Sequence, residues 1–206
     1  MPLSTKPATP AWAELSLSSL AGNYRILKRL AQGADLLPVV KADAYGHGIV
    51  PVSKKLVQCG ARRLAVAYVR EGVVLRRAGI RAKILVITPT LPAEIPLALS
   101  RGLTLQVSTL EGAQAIARVA RRLGRQGIPV HVKIDTGMGR VGFRPDQSLS
   151  DLTALFRIPE IRVESLYTHL ATADWTNPDY AKKQSFLFRR VLEATGMEVC
   201  HIANSA

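Results

Sequence analysis

Lys41 closes an apolar run, Leu36-Leu37-Pro38-Val39-Val40, and opens a small polar segment, Ala42-Asp43-Ala44-Tyr45-Gly46-His47-Gly48. A strand end is a rigid mount. A lysine held there, partly out of water, can lose its proton and act as a nucleophile or a base. Polar residues follow later apolar runs in the same way: Asp135 to Arg140 after 130–134, His169 after 161–168, and Asn204-Ser205 after 199–203. The planar fork of Arg140 suits a carboxylate, and a hydroxyl such as that of Ser205 suits a phosphate. Taken singly, each has a plainer role. Tyr45 can pack, His169 can be a satisfied core histidine, and Asn204 with Ser205 can form an ordinary cap. Asp135 and Met138 read as structural, and no chemistry is assigned to His47 or His201.

Within 130–135 the residues alternate: Val130, Val132 and Ile134 against His131, Lys133 and Asp135. In a strand this sends the apolar three to one face and the polar three to the other. Lys133 then becomes a buried cation near Arg140, a costly pairing unless something neutralises it. Two solutions stay open. Carbon dioxide can carbamylate Lys133 and turn it into an anion that pairs with Arg140, or Lys133 can form a salt bridge with Asp135 or another internal acid.

Seven strand-like segments, 36–41, 64–69, 83–87, 103–107, 130–134, 161–168 and 199–203, alternate with helix patterns. A first helix is expected at 18–31 with Ser18 as cap. Ser108 stands three residues before Glu111 in a capping-box arrangement, and Gly124 can end that helix. Asn177 and Pro178 suit the N-cap and first position of a later helix that Gly196 closes. Short strands separated by helices imply parallel pairing. The polar residues gather after successive strands, as at the C-terminal rim of a TIM-type (β/α)8 barrel, so that α/β class is favoured over an open doubly wound sheet. The chain holds only about seven of the strands.

The chain has 206 residues, 48% of them hydrophobic, enough for one substantial core. Residues 1–10 carry three prolines and read as a loose tail, leaving 11–206 as the barrel domain. No apolar stretch approaches the roughly 20 residues of a membrane-spanning helix, so no membrane partner is expected. Cys59 and Cys200 offer neither a disulfide framework nor a metal-ligand spacing, and thiols in a reducing cytoplasm are the simple reading. The 28 basic and 15 acidic residues give a net charge of +13, but much of the excess lies in doublets such as Lys54-Lys55, Arg121-Arg122 and Arg189-Arg190. These fit solvated helix faces. With aromatics at 5%, a nucleic-acid stacking platform is poorly supported. An anionic small substrate would benefit from the field.

Two long motifs carry a resemblance. Val40 to Gly48 resembles the pyridoxal-phosphate attachment signature of the alanine racemase family, and Lys133-Ile134-Asp135-Thr136-Gly137-Met138-Gly139-Arg140-Val141-Gly142-Phe143 resembles its second signature. Thr168-His169-Leu170-Ala171 and His201-Ile202-Ala203-Asn204-Ser205-Ala206 match two further segments in order. The resemblance implies a fold-type III barrel that binds pyridoxal 5'-phosphate and a homodimer that interconverts L- and D-alanine for peptidoglycan synthesis in the cytoplasm. It implies that Lys41 joins the cofactor as a Schiff base and later serves as one catalytic base. By the same resemblance, Tyr45 and Ser205 contact the phosphate, with Asn204 beside them. Arg140 lies by the cofactor and the substrate carboxylate, His169 belongs to the surrounding hydrogen-bond network, and Lys133 is a candidate N6-carboxylysine.

The resemblance also implies parts this chain lacks: an eighth strand, and a C-terminal β-domain that brings a tyrosine as second base. The expectation is a fragment with little or no activity alone. A serine or broad-specificity racemase of the same fold type, and a non-catalytic cofactor-binding barrel, are the alternative readings. A carrier has no need of a carboxylate anchor such as Arg140.

Overall fold

A computed structural model describes residues 11–146, 149–202 and Asn204. Residues 1–10, Ala203, Ser205 and Ala206 lie outside the described residues, and with them the expected tail and one expected phosphate contact.

Six parallel strands lie in sequence order in one sheet: β1 (Arg63–Val66), β2 (Lys83–Val86), β3 (Thr104–Val107), β4 (Ile128–Lys133), β5 (Ile161–Tyr167) and β6 (Cys200–His201). The expected first strand survives as a single parallel bridge, Val39 to Ala65, held by Val40 N–H to Ala65 O and Ala65 N–H to Pro38 O, both 2.8 Å. Pro38 has no N–H to donate, which helps explain why this pairing is short. The sheet curls into a half-barrel. Lys83 of β2 reaches Glu164 of β5 across the lumen at 3.2 Å. A register shift between Val130 and His131 makes room for Glu164, because Val130 pairs with Val163 but His131 with Ser165.

Helices cover the outside: α1 (Leu17–Leu30), α3 (Ile49–Gln58), α4 (Val69–Arg77), α5 (Ile95–Ser100), α6 (Leu110–Arg122), α7 (Leu149–Phe156) and α8 (Asp179–Thr195). Between the bridge and α3 lies α2 (Lys41–Tyr45), a single turn whose backbone is left-handed. The core is the layer between sheet and helices, with Leu64, Ile84, Leu105, Val130, Val132 and Ile134 fully buried. Val130, Val132 and Ile134 do face the helices. His131 and Lys133 face the lumen.

Several boundaries differ from expectation. Ser16, not Ser18, caps α1, accepting the Ser19 N–H. Thr109, not Ser108, caps α6 through the Gly112 N–H, so Glu111 falls outside any capping box. At α8 the N-cap is Pro178, while Asn177 Oδ1 accepts the Asp179 N–H at 2.8 Å. Gly124 and Gly196 lie just past α6 and α8 with φ of 63° and 66°, the left-handed ending that glycine allows.

Candidate active site

Lys41 opens α2, and the next four residues, Ala42, Asp43, Ala44 and Tyr45, all have φ between 51° and 57°. Consecutive left-handed non-glycine residues are rare, at a cost of roughly 1–2 kcal/mol each. Two local bonds and one from α4 hold the turn. Asp43 Oδ1 accepts the Ile49 N–H at 2.7 Å, His47 Nδ1 lies 2.8 Å from Ala44 O, and Glu71 Oε1 of α4 accepts the Ala42 N–H at 2.7 Å. Lys41 is half-buried, with Nζ 5.9 Å from the centre of the Tyr45 ring.

Lys133 ends β4 with 3% of its surface exposed, and its Nζ has no hydrogen-bond partner. Nζ sits 5.0 Å from the centre of the Tyr167 ring. Burial pulls its pKa down to about 8; Asp135 opposes the shift and Arg140 adds to it. The salt bridge to Asp135, one of the two solutions left open, does not form. Asp135 leaves the strand pattern and gives its carboxylate to the next loop, accepting the N–H groups of Gly137, Gly139 and Arg140 at 2.9–3.0 Å. Burial pushes the Asp135 pKa up, but those three donors and Lys133 together hold it below the usual carboxylate value. The second signature is therefore a carboxylate-organised loop. Gly142 completes it, because a Cβ there would stand 2.6 Å from the Asp135 nitrogen.

His169, half-buried after β5, has a lowered pKa, through burial first and then through the positive charges of Lys133, Arg140 and Lys41. Lys41, Lys133 and Arg140 thus all lie close enough to act on His169, and Lys41, Lys133 and His169 stand at or just after the ends of parallel strands, which form the rim. Asn204 is exposed near that rim's last strand, β6. A cleft of about 860 Å3 opens between the 135–146 loop and α8, with Arg140 and Lys183 in its wall; Lys41 does not line it.

The sequence did not single out two residues that support this rim. Gln184 of α8 is fully buried; its Nε2 donates to His169 O and Thr136 Oγ1, and its Oε1 accepts the Ala171 N–H. Glu71 is the other. Its place three residues after Tyr68 was the available signal, since a glutamate there reaches back to the start of its helix.

A family profile described as "Alanine racemase, N-terminal domain" matches residues 15–206. The chain belongs to that family. It is 42% identical over 202 residues to an alanine racemase of Symbiobacterium thermophilum, covering 96% of this chain and 53% of that protein. A solved alanine racemase from Clostridium difficile superposes with a TM-score of 0.91 at 37% identity, covering 97% of this chain and 54% of the other. A histidine racemase from Leuconostoc mesenteroides superposes at 0.85 with 29% identity. The chain spans about half the length of the family members it matches.

The rim fits an anionic, aldehyde-bearing cofactor. Lys41 and Lys133 have no carboxylate partner among the described residues, and Asp135, the acid of the same loop, is committed to backbone donors, the Arg140 N–H among them. The orphaned Lys133 Nζ and the buried, unpartnered amide of Gln106 on the adjacent strand both belong to the lumen-facing layer.

Proposed function

We propose that this chain is the pyridoxal 5'-phosphate-binding barrel portion of an enzyme that interconverts L- and D-alanine. The observation that carries the reading is that Lys41, Lys133, Arg140 and His169 stand at or just after the C-terminal ends of parallel strands, with the buried Lys133 Nζ unpartnered. When bound, the cofactor supplies an electron sink for the charge left on the substrate's Cα once its proton is gone.

The chain's own residues supply attachment, orientation and one proton path. Lys41 holds the cofactor, then takes and returns the Cα proton on one face. Arg140 binds the substrate carboxylate with its planar fork. Tyr45, Asn204 and Ser205 hold the phosphate end. His169, kept from protonating by burial and its cationic neighbours, serves as a neutral hydrogen-bonding group. Burial lowers the Lys133 pKa to about 8, so a fraction of its amine is neutral and can attack carbon dioxide. A nitrogen–carbon bond forms, the amine proton passes to water, and the resulting carbamate pairs with Arg140.

The resemblance assigns the base on the opposite face, the eighth strand and much of the homodimer interface to the part of the family's length that this chain does not span. The 206-residue chain is therefore proposed to attach cofactor and to racemise little alone. The setting proposed is the cytoplasm, with D-alanine made for peptidoglycan. No described helix is long and apolar enough to cross a membrane.

The test is spectroscopic first. Addition of pyridoxal phosphate should give a visible band that borohydride abolishes, and Lys41→Ala should never develop it. An enantiomer-interconversion assay on the same chain should show turnover far below that of a chain carrying the full family length. A wild type without the band would overturn the reading. Alanine is favoured as substrate by the two alanine racemases reported above; comparing turnover of alanine, serine and histidine in the full-length form checks it.

A further inference from the structure

Glu71 occupies the third position of α4, where a glutamate commonly reaches back to the helix start. Half of its carboxylate does this: Oε2 accepts the N–H groups of Ala67 at 2.7 Å and Tyr68 at 3.0 Å. Helix capping leaves the other oxygen unexplained. Oε1 accepts the N–H of Ala42, 29 residues away, at 2.7 Å. Ala42 is the first left-handed residue after Lys41, and its amide belongs to the peptide that joins the two. Glu71 makes no ion pair with the Lys41 amine among the described residues, so it acts on the backbone and not on the ammonium charge. One carboxylate thus ties the end of β1 and the start of α4 to the peptide that aims Lys41.

We propose that Glu71 is a positioning residue for Lys41. It fixes the Lys41–Ala42 peptide plane, holds the left-handed turn in place, and so sets the direction in which the amine meets an aldehyde at the barrel rim. The proposal rests on the reading of Lys41 as the cofactor's attachment point, and it adds to that reading a residue in neither signature motif.

The control lies on the same helix. The Arg76 guanidinium donates to the carbonyls of Arg101, Ile80, Ala82 and Gly102, a purely structural tie at the far end of α4. Glu71→Ala, Glu71→Gln and Arg76→Ala are compared with wild type under conditions where circular dichroism shows each folded. Amide exchange by NMR should show Ala42 losing at least tenfold protection in Glu71→Ala and keeping it in Arg76→Ala. Condensation of Lys41 with pyridoxal phosphate, which releases one water and is followed by the visible band, should slow at least tenfold in Glu71→Ala. Glu71→Gln keeps one accepting oxygen and should fall between Glu71→Ala and wild type. Arg76→Ala should lower the melting temperature yet leave the condensation rate unchanged. Equal slowing in Arg76→Ala and Glu71→Ala would mean that Glu71 works only through stability, and the proposal would fail. Unchanged Ala42 exchange in Glu71→Ala would also overturn it. A wild type that takes up no cofactor would sink the functional reading, while the exchange experiment would still decide whether Glu71 holds the turn.

Discussion

A buried ammonium without a partner is a liability, and Lys133 is one: 3% exposed, facing an aromatic ring, with no acceptor for its protons. Removing such a charge in favour of an apolar side chain of similar length should stabilise the fold. In carbon-dioxide-free buffer, Lys133→Met should raise stability by about 1–2 kcal/mol, measured by urea unfolding. The pKa of about 8 leaves roughly a fifth of the amine neutral at pH 7.4, against about a thousandth for an ordinary lysine. Carbamylation should therefore proceed readily. With 13C-bicarbonate present, wild type should show a carbamate carbon signal by NMR that Lys133→Met lacks, and its stability should rise towards the variant's. A signal-free wild type would leave Arg140 facing a bare cation and would count against the carbamate.

At the scale of elements, the rim is built from loops that one helix holds together. Gln184 reaches from α8 to the loop after β4, through Thr136, and to the loop after β5, through His169 and Ala171. A second link, Thr136 Oγ1 to Thr168 Oγ1 at 2.8 Å, joins the same two segments. Gln184→Ala would leave the half-buried Ala171 N–H without its acceptor and remove two other contacts, a loss of about 1–3 kcal/mol in urea unfolding. It should also broaden the His169 and Arg140 resonances more than those of α1. The alternation of elements was readable because each strand is a short apolar run and each helix ends on signals such as Gly124 and Gly196. The second signature was readable as a loop, but the role of Asp135 was not: extending the period-two pattern placed it facing the barrel axis, whereas the chain turns there and spends the carboxylate on three amides. The left-handed turn after Lys41 left no local trace, since Ala42-Asp43-Ala44-Tyr45 contains no glycine. Contacts from distant residues, Glu71 among them, settle it. Gln184 was hidden for a related reason. On α8 it shares a face with Phe188 and Val191, and helical spacing alone does not tell a buried clamp from a surface glutamine.

For the molecule as a whole, the lumen is the unusual region, because polar groups from β4, β5 and β6 meet inside the curled sheet. His131 of β4 and His201 of β6 approach at 2.9 Å, and His201 stacks on Tyr167 with ring centres 4.5 Å apart. Burial drives both histidines down, to about 4 and about 3. Arg63 also lowers both; Lys83 further lowers His131, and Lys133 further lowers His201, while Glu164 opposes the shift at His131. In the unfolded chain both would titrate near 6.5. Below that pH the unfolded state binds protons that the folded state refuses, so the pair's contribution to stability is complete above about 6.5 and is lost as the pH drops towards the folded values. The slope is at most about 1.4 kcal/mol per pH unit for each histidine. The carboxylates held low here, Asp135 and Glu164, begin to cost stability only nearer pH 4, which leaves a window between about 4.5 and 6.5 where the histidine pair, together with His169 at the rim, sets the slope. Urea midpoints measured across that window should decline in wild type and decline less steeply in His131→Gln, which removes one titrating partner and keeps a hydrogen-bonding group. A flat wild-type profile down to pH 5 would show that water reaches the pair and that the lumen is more open than its packing indicates.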